Sequence, residues 1–203
     1  MKYDVFNNPE IWCNGYYELS MEYHPSGNNK RLEGALNALC KSEFFNGLWG
    51  EKKDLYQDML TLPITIKDVN QMYGVLSLTS GEILPCMVSL IRVEGESDWI
   101  DIAIPQAFFE KYYPYQYPLT RRLNPWLEKV DETYAKLAEF IFGESPFDFA
   151  MIGEEISGYT NLQEITVDTL KNIITILPIE LQDRLGVRKQ GKQLSNGLRM
   201  FNS

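Results

Sequence analysis

The sequence is poor in the residues on which many catalytic and structural sites depend. It contains one histidine, His24, and three widely separated cysteines, Cys13, Cys40 and Cys86. Disulfide frameworks of secreted proteins and structural zinc sites both need cysteines in even sets or close pairs. We therefore predict reduced thiols, mostly buried as small apolar side chains, and no metal site.

Sequence motifs for membrane insertion, secretion and phosphate binding are missing as well. The sequence has no run of eighteen apolar residues, and its first twelve residues contain no apolar signal-peptide core. The segment 26–30 places a single glycine before its lysine, which is too little backbone freedom to enclose a phosphate group. These absences predict a cytoplasmic protein with no cofactor and no membrane partner.

The formal net charge of the chain is −9 at pH 7, and the charge is unevenly distributed. Residues 187–203 contain four basic side chains and no acid, so residues 1–186 carry a formal charge of −13. Such a body disfavours nucleic acid, whose phosphates need clustered Lys and Arg, and it suits either a basic protein partner or simple solubility. We predict one domain over 1–186 and a basic, flexible tail over 187–203.

The hydrophobic periodicity predicts an α+β fold. The stretch 73–105 has the pattern of a three-strand antiparallel meander, and we expect it to organise one sheet with helices packed on one face. The other predicted elements are strands at 14–23 and 147–152, helices at 29–41, 125–142, from 166 or 168 to 177, and 178–185, and a loop at 42–54.

Two acidic groups are candidate binding residues. Glu94, Glu96, Asp98 and Asp101 surround the turn between the second and third meander strands, where a solvated turn, a cation site and a patch for a basic partner all fit. Of these, Glu94, Glu96 and Asp98 are the predicted contact residues. Glu154 and Glu155 follow an apolar strand, and neighbouring residues of an extended chain point in opposite directions. A structural turn, a partner contact and acid–base catalysis therefore remain open for that pair.

A third candidate is aromatic. Six aromatic residues lie between positions 108 and 117, interleaved with proline. Tyrosine combines an apolar ring with a polar tip, which suits interfaces. We expect some of these rings to belong to the core, and Tyr113, Tyr115 and Tyr117 to contribute to a recognition surface.

Four segments carry a resemblance to a known class of proteins. They are YELSMEY (17–23), RLEGALNALCKSEFFNGLW (31–49), WIDIAIP (99–105) and FDFAMIGEE (147–155). Their order is similar to that of the small α+β immunity proteins of bacterial polymorphic-toxin systems. The resemblance implies a non-catalytic protein that neutralises a toxin by binding it, and it assigns no role to an individual residue.

The leading hypothesis is therefore a non-catalytic, acidic protein that binds a protein partner of basic charge, in the manner of an immunity protein. The alternative is a small-molecule-binding protein or a hydrolase-like enzyme with a pocket near Glu154 or Glu155. A third hypothesis is a scaffold domain that docks through its basic tail. The sequence leaves the oligomeric state open.

Overall fold

The computed structural model describes residues 3–50, 58–67 and 69–201. Over these ranges nine strands form one antiparallel sheet. The strands are β1 (Tyr16–Tyr23), β2 (Phe45–Trp49), β3 (Val69–Ser77), β4 (Ile83–Arg92), β5 (Asp98–Pro105), β6 (Phe149–Glu154), β7 (Ile174–Leu177), β8 (Lys192–Gln193) and β9 (Arg199–Phe201). The α-helices are α1 (Tyr3–Phe6), α2 (Asn29–Lys41), α3 (Gln106–Tyr112), α4 (Leu127–Glu144) and α5 (Ile179–Leu185). The predicted α+β class is confirmed.

The strand order is β2-β3-β4-β5-β1-β6-β7-β9-β8. The predicted meander is present as β3, β4 and β5, but it forms one side of the sheet. The middle position belongs to β1, which pairs with β5 on one edge and with β6 on the other. Strand β1 therefore joins the two halves of the sheet.

One face of the sheet is covered by helices α2 and α4. Helix α2 begins where the side chain of Asn28 accepts a hydrogen bond from the Arg31 amide, and its apolar residues recur at helical spacing. On this face of β1, the ring of Tyr17 stacks on that of Tyr134 from α4, with centroids 6.4 Å apart. None of the helices in the described ranges is both long and apolar enough to cross a membrane.

The opposite face of the sheet is covered too, by an irregular stretch and by α5. We call residues 155–173, which run from the end of β6 to the start of β7, the cover segment. Buried side chains from this segment, α5 and the sheet form a second apolar cluster, comprising Trp99, Phe149, Met151, Ile156, Ile165, Leu170, Ile173, Leu177, Leu181, Val187 and Phe201. Strand β1 is consequently buried on both of its faces.

Two predicted elements have a different conformation. Residues 174–177 form β7 instead of the end of a helix, because this β-branched run is buried between β6 and β9. The predicted loop at 42–54 contains β2, whose register shifts around Gly47, a residue with a φ of 78°. Residues 51–54 of that loop lie outside the described residues.

The prediction of a flexible tail is wrong for residues 187–201. Strands β8 and β9 extend the sheet beyond β7, and Leu198, Met200 and Phe201 are buried. The apolar residues are sparse in this stretch, yet pairing with β7 places them in the two cores. Residues 187–201 are therefore part of the folded sheet region.

Leu198 provides a test of this placement. Because its side chain is fully buried, Leu198→Ala should lower the free energy of unfolding by about 2–4 kcal/mol. Lys192→Ala, at an exposed position of β8, should change it by less than about 0.5 kcal/mol. Urea denaturation followed by circular dichroism measures both values. If Leu198→Ala unfolds at the wild-type midpoint, the segment is not part of the cooperative domain.

Candidate functional site

Three carboxylates lie on the face of the sheet that the cover segment packs against. Glu18 and Glu22 alternate with apolar residues along β1, and Asp101 lies on β5 opposite Ser20 of β1. The three residues are only 7%, 1% and 3% exposed. We call Glu18, Glu22 and Asp101 the acid row. Buried carboxylates need hydrogen bonds to compensate for lost hydration, so their partners determine what the row does.

The partners of the acid row come largely from the cover segment. The Ser157 amide donates to Glu18 Oε2 at 3.0 Å, and the Ser157 hydroxyl donates to Asp101 Oδ2 at 2.9 Å. The Leu162 amide donates to Glu22 Oε2 at 2.6 Å. The acid row therefore fastens an irregular segment to the middle of the sheet.

Burial shifts the ionisation of the whole row. Desolvation, assisted by the charge of Asp101, raises the pKa of Glu18 from 4.5 to about 7, against the opposing effect of the Ser157 amide. Desolvation also raises the pKa of Glu22 and that of Asp101, while hydrogen bonds from serine hydroxyls act in the other direction. The protonated state of Glu18 is thus populated near neutral pH.

A hydrogen-bonded chain links the single histidine to this row. The Ser97 hydroxyl donates to Glu22 Oε1 at 2.6 Å, and His24 Nδ1 lies 3.2 Å from Ser97 Oγ. With the hydroxyl proton of Ser97 directed towards Glu22, the second bond uses the His24 tautomer that carries a proton on Nδ1. The order is histidine, serine, carboxylate. A hydrolytic triad requires the histidine between the nucleophile and the carboxylate. The hydrogen-bonded chain of His24, Ser97 and Glu22 is therefore not a nucleophilic triad.

A cavity of about 380 Å³ opens beside this chain. It lies between the turn that joins β4 to β5 and residues 158–164 of the cover segment. Its lining is mostly polar and consists of Glu22, His24, Val93, Gly95, Glu96, Ser97, Trp99, Gly158, Thr160, Asn161, Gln163 and Glu164. Glu22 of the acid row, the histidine and one predicted acidic group therefore meet at this end of the sheet.

The acidic turn, which we define as residues 93–97, keeps two of the three predicted acids accessible. Glu94 and Glu96 are exposed. Asp98 is fully buried, where it forms an ion pair with Arg92 at 2.7 Å and accepts a hydrogen bond from the Gly27 amide at 2.9 Å. The prediction of Asp98 as a contact residue does not fit this burial, because both of its oxygens hold the base of the turn.

The second predicted pair, Glu154 and Glu155, holds the other end of β1. Glu154 accepts hydrogen bonds from the Gln106 side chain at 2.7 Å and from the Leu119 amide at 3.0 Å. Glu155 has a φ of 47° and accepts from the Tyr16 amide at 2.6 Å. Both carboxylates are therefore acceptors that fix neighbouring backbone.

A recess of about 370 Å³ lies next to Glu154, as the small-molecule hypothesis requires. Arg121, which also lines it, forms an ion pair with the buried Asp131. Both oxygens of Glu154 already accept hydrogen bonds, so proton transfer at Glu154 would compete with the contacts that hold this part of the fold.

The three predicted tyrosines differ in exposure. Tyr113 is half-buried, with its ring 4.6 Å from that of Trp126 and its hydroxyl donating to Glu82. Tyr115 is also half-buried, whereas Tyr117 is 76% exposed. Of the three, Tyr117 alone presents most of its ring to solvent.

The predicted residues do not converge on one site. Glu94 and Glu96 precede the first residue of β5, while Glu154, Glu155 and the tyrosines lie near its last residue. Strand β5 has eight residues, which separates the two groups by roughly 24 Å at about 3.4 Å per residue. A compact ligand can engage only one of them.

The cysteines are distributed differently from the prediction. Cys86 is fully buried, and burial raises the pKa of its thiol. Cys13 and Cys40 are exposed, because one precedes β1 in a loop and the other lies on the solvent side of α2. Among the residues that the structure describes, no group of three or more His, Cys, Asp or Glu side chains has an arrangement that could hold a metal ion.

By fold and site, the chain is an α+β protein with an acidic cavity at one end of a covered sheet. Comparison with protein-family models, curated proteins and solved structures finds no match to this chain.

The raised pKa of Glu18 predicts a pH-dependent stability. The unfolded chain releases this proton near pH 4.5 and the folded protein near pH 7, so the contribution of Glu18 is complete below pH 4.5 and is lost as the pH rises through 7. Glu18→Gln keeps an oxygen acceptor for the Ser157 amide without the charge. At about pH 8 it should raise the free energy of unfolding by about 1–3 kcal/mol.

Urea titrations of the wild-type protein and Glu18→Gln across this pH range test the assignment. The variant should show a shallower decline of stability between about pH 5 and pH 8. Glu43→Gln, at an exposed position after α2, should follow the wild-type profile. Parallel profiles for the wild-type protein and Glu18→Gln would contradict the assigned role.

Proposed function

We propose that this protein is a non-catalytic binding protein that recognises a basic protein partner through the acidic turn. The observation that carries the proposal is the state of Glu94 and Glu96. Both are exposed, and neither side chain has a hydrogen bond or an ion pair with any described residue. Unpaired carboxylates on an acidic body attract a basic surface and accelerate its encounter.

The backbone of the acidic turn supports this role because it is held in place. The Ser26 amide donates to the Glu96 carbonyl at 3.1 Å, and the ion pair between Arg92 and Asp98 closes the base of the turn. Gly95 has a φ of 80°, a conformation that glycine adopts without strain. A preordered turn loses little entropy on binding.

The internal carboxylates favour binding over acid–base catalysis. Glu22, Asp101 and Glu154 each accept two hydrogen bonds from other parts of the fold. Groups engaged in this way position backbone and are poorly placed to exchange protons with a substrate.

The narrower form of the proposal is toxin neutralisation in the cytoplasm. Its support is the resemblance of four segments to the immunity proteins of polymorphic-toxin systems. A nuclease or another toxin with a basic surface would meet the charge requirement, and the acidic body argues against direct contact with nucleic acid.

Neutralising the turn tests the proposal. The wild-type protein is used to capture partners from its native host, and a stoichiometric partner is purified and its charge determined. Glu94→Gln/Glu96→Gln should weaken the complex roughly two- to ten-fold, mainly through a slower association rate, and should reduce its salt dependence. Surface plasmon resonance at two salt concentrations measures these quantities.

The matched control is Glu43→Gln/Glu132→Gln, which makes the same change in net charge at exposed positions on the helical side of the sheet. It should bind at nearly the wild-type rate. A partner without a basic surface, or equal effects of the two double variants, would contradict recognition by the acidic turn.

A further inference from the structure

The cavity behind the acidic turn has features that the proposed contact with Glu94 and Glu96 does not explain. Glu22, Glu96 and Glu164 line it from three parts of the chain, and none of its lining residues is lysine or arginine. The lining itself therefore contributes no positive charge apart from any on His24. Such a cavity favours a cationic occupant.

Acceptor capacity remains available at the inner wall of the cavity. Each oxygen of Glu22 accepts one hydrogen bond from the protein, whereas a carboxylate offers about four acceptor positions. Thr160 is only 9% exposed, and its hydroxyl has no hydrogen-bond partner among the described residues. Because Thr160 lines the cavity, this hydroxyl is free to bond an occupant there.

An aromatic side chain completes the lining. Trp99 lies at the start of β5, is 9% exposed and lines the cavity. Indole rings attract cations through their faces, and they stack with the planar guanidinium group. The volume of about 380 Å³ lies at the small end of the range for ligand pockets. It suits the end of a side chain better than a large cofactor.

We propose that this cavity receives an arginine side chain of the basic partner. This inference rests on the proposed function and names the chemistry that the site recognises. Acceptors on several walls match the five N–H donors of a guanidinium, whereas an ammonium offers three donors from one point. The exposed Glu96 and Glu164 select the cation at the rim, and Thr160 and Glu22 bind it inside.

Short capped peptides test the cavity without the partner. Acetyl-Gly-Arg-Gly-amide is titrated into the ¹⁵N-labelled full chain, and the indole signal of Trp99, assigned with Trp99→Phe, is followed by NMR. We expect a saturable shift of this signal and of the amides around 94–97 and 160–164. The same peptide with citrulline, which is neutral and nearly isosteric with arginine, should leave these signals unshifted.

Two variants relate the binding to the lining. Glu96→Gln/Glu164→Gln should weaken binding of the arginine peptide roughly five- to thirty-fold, and the same-shaped Thr160→Val should weaken it by a smaller factor. Neither Glu96 nor Glu164 has a side-chain hydrogen bond within the described residues, so the double variant should fold. The control Glu43→Gln/Glu132→Gln should bind like the wild-type protein.

Other outcomes would overturn the inference. Equal shifts with the arginine and citrulline peptides, or shifts confined to residues away from the cavity, would exclude a cation site. Tighter binding of a lysine peptide would exclude guanidinium selection. Binding of free arginine but not of the capped peptide would make the cavity a small-molecule site.

The peptide test and the partner test can give independent results, so failure of one is distinguishable from failure of the other. If the arginine peptide binds and no basic partner is captured, the proposed function fails while the cation site remains. If a basic partner binds through the acidic turn and the peptide does not bind, only the arginine site fails.

Discussion

The acid row is the constraint on which the rest of the structure depends. Three carboxylates on the middle strands of a sheet would be strongly destabilising without compensation, because burial removes their hydration. The amides of Ser157 and Leu162, and the hydroxyls of Ser20, Ser97 and Ser157, supply that compensation. The cover segment has little regular structure of its own, so these hydrogen bonds and its apolar cluster determine where it lies.

The position of the cover segment accounts for the acidic end of the sheet. Residues 158–164 lie opposite the acidic turn, and the space between them is the cavity that Glu22 and Thr160 line. The buried ion pair of Arg92 with Asp98 holds the other wall. The hydrogen bonds between the acid row and the cover segment therefore stabilise the core and also fix the walls of a negatively charged cavity. The proposed recognition of a basic partner therefore needs no mobile element.

Much of the fold could be predicted from the sequence, because periodicity reports local structure directly. Helix α2 and strand β1 follow from clean three-to-four and two-residue repeats. The error at 174–177 arose because a short apolar run fits a helix or a buried strand equally well. The cavity was missed because Glu18 and Glu22 alternate with apolar residues as on any half-exposed strand. Their burial depends on β1 being central and covered, which is decided by distant segments. The acidic turn was found because turn chemistry is local.

Hydrogen exchange of the complex tests the central claim most directly. The wild-type protein is compared alone and bound to the basic partner that we propose, with peptides covering both ends of β5. The account predicts protection on binding at residues 93–97 and 158–164, with little change around 113–118 and 154–155. Protection concentrated at the tyrosine-rich end, or on helices α2 and α4, with residues 93–97 and 158–164 unchanged, would contradict it.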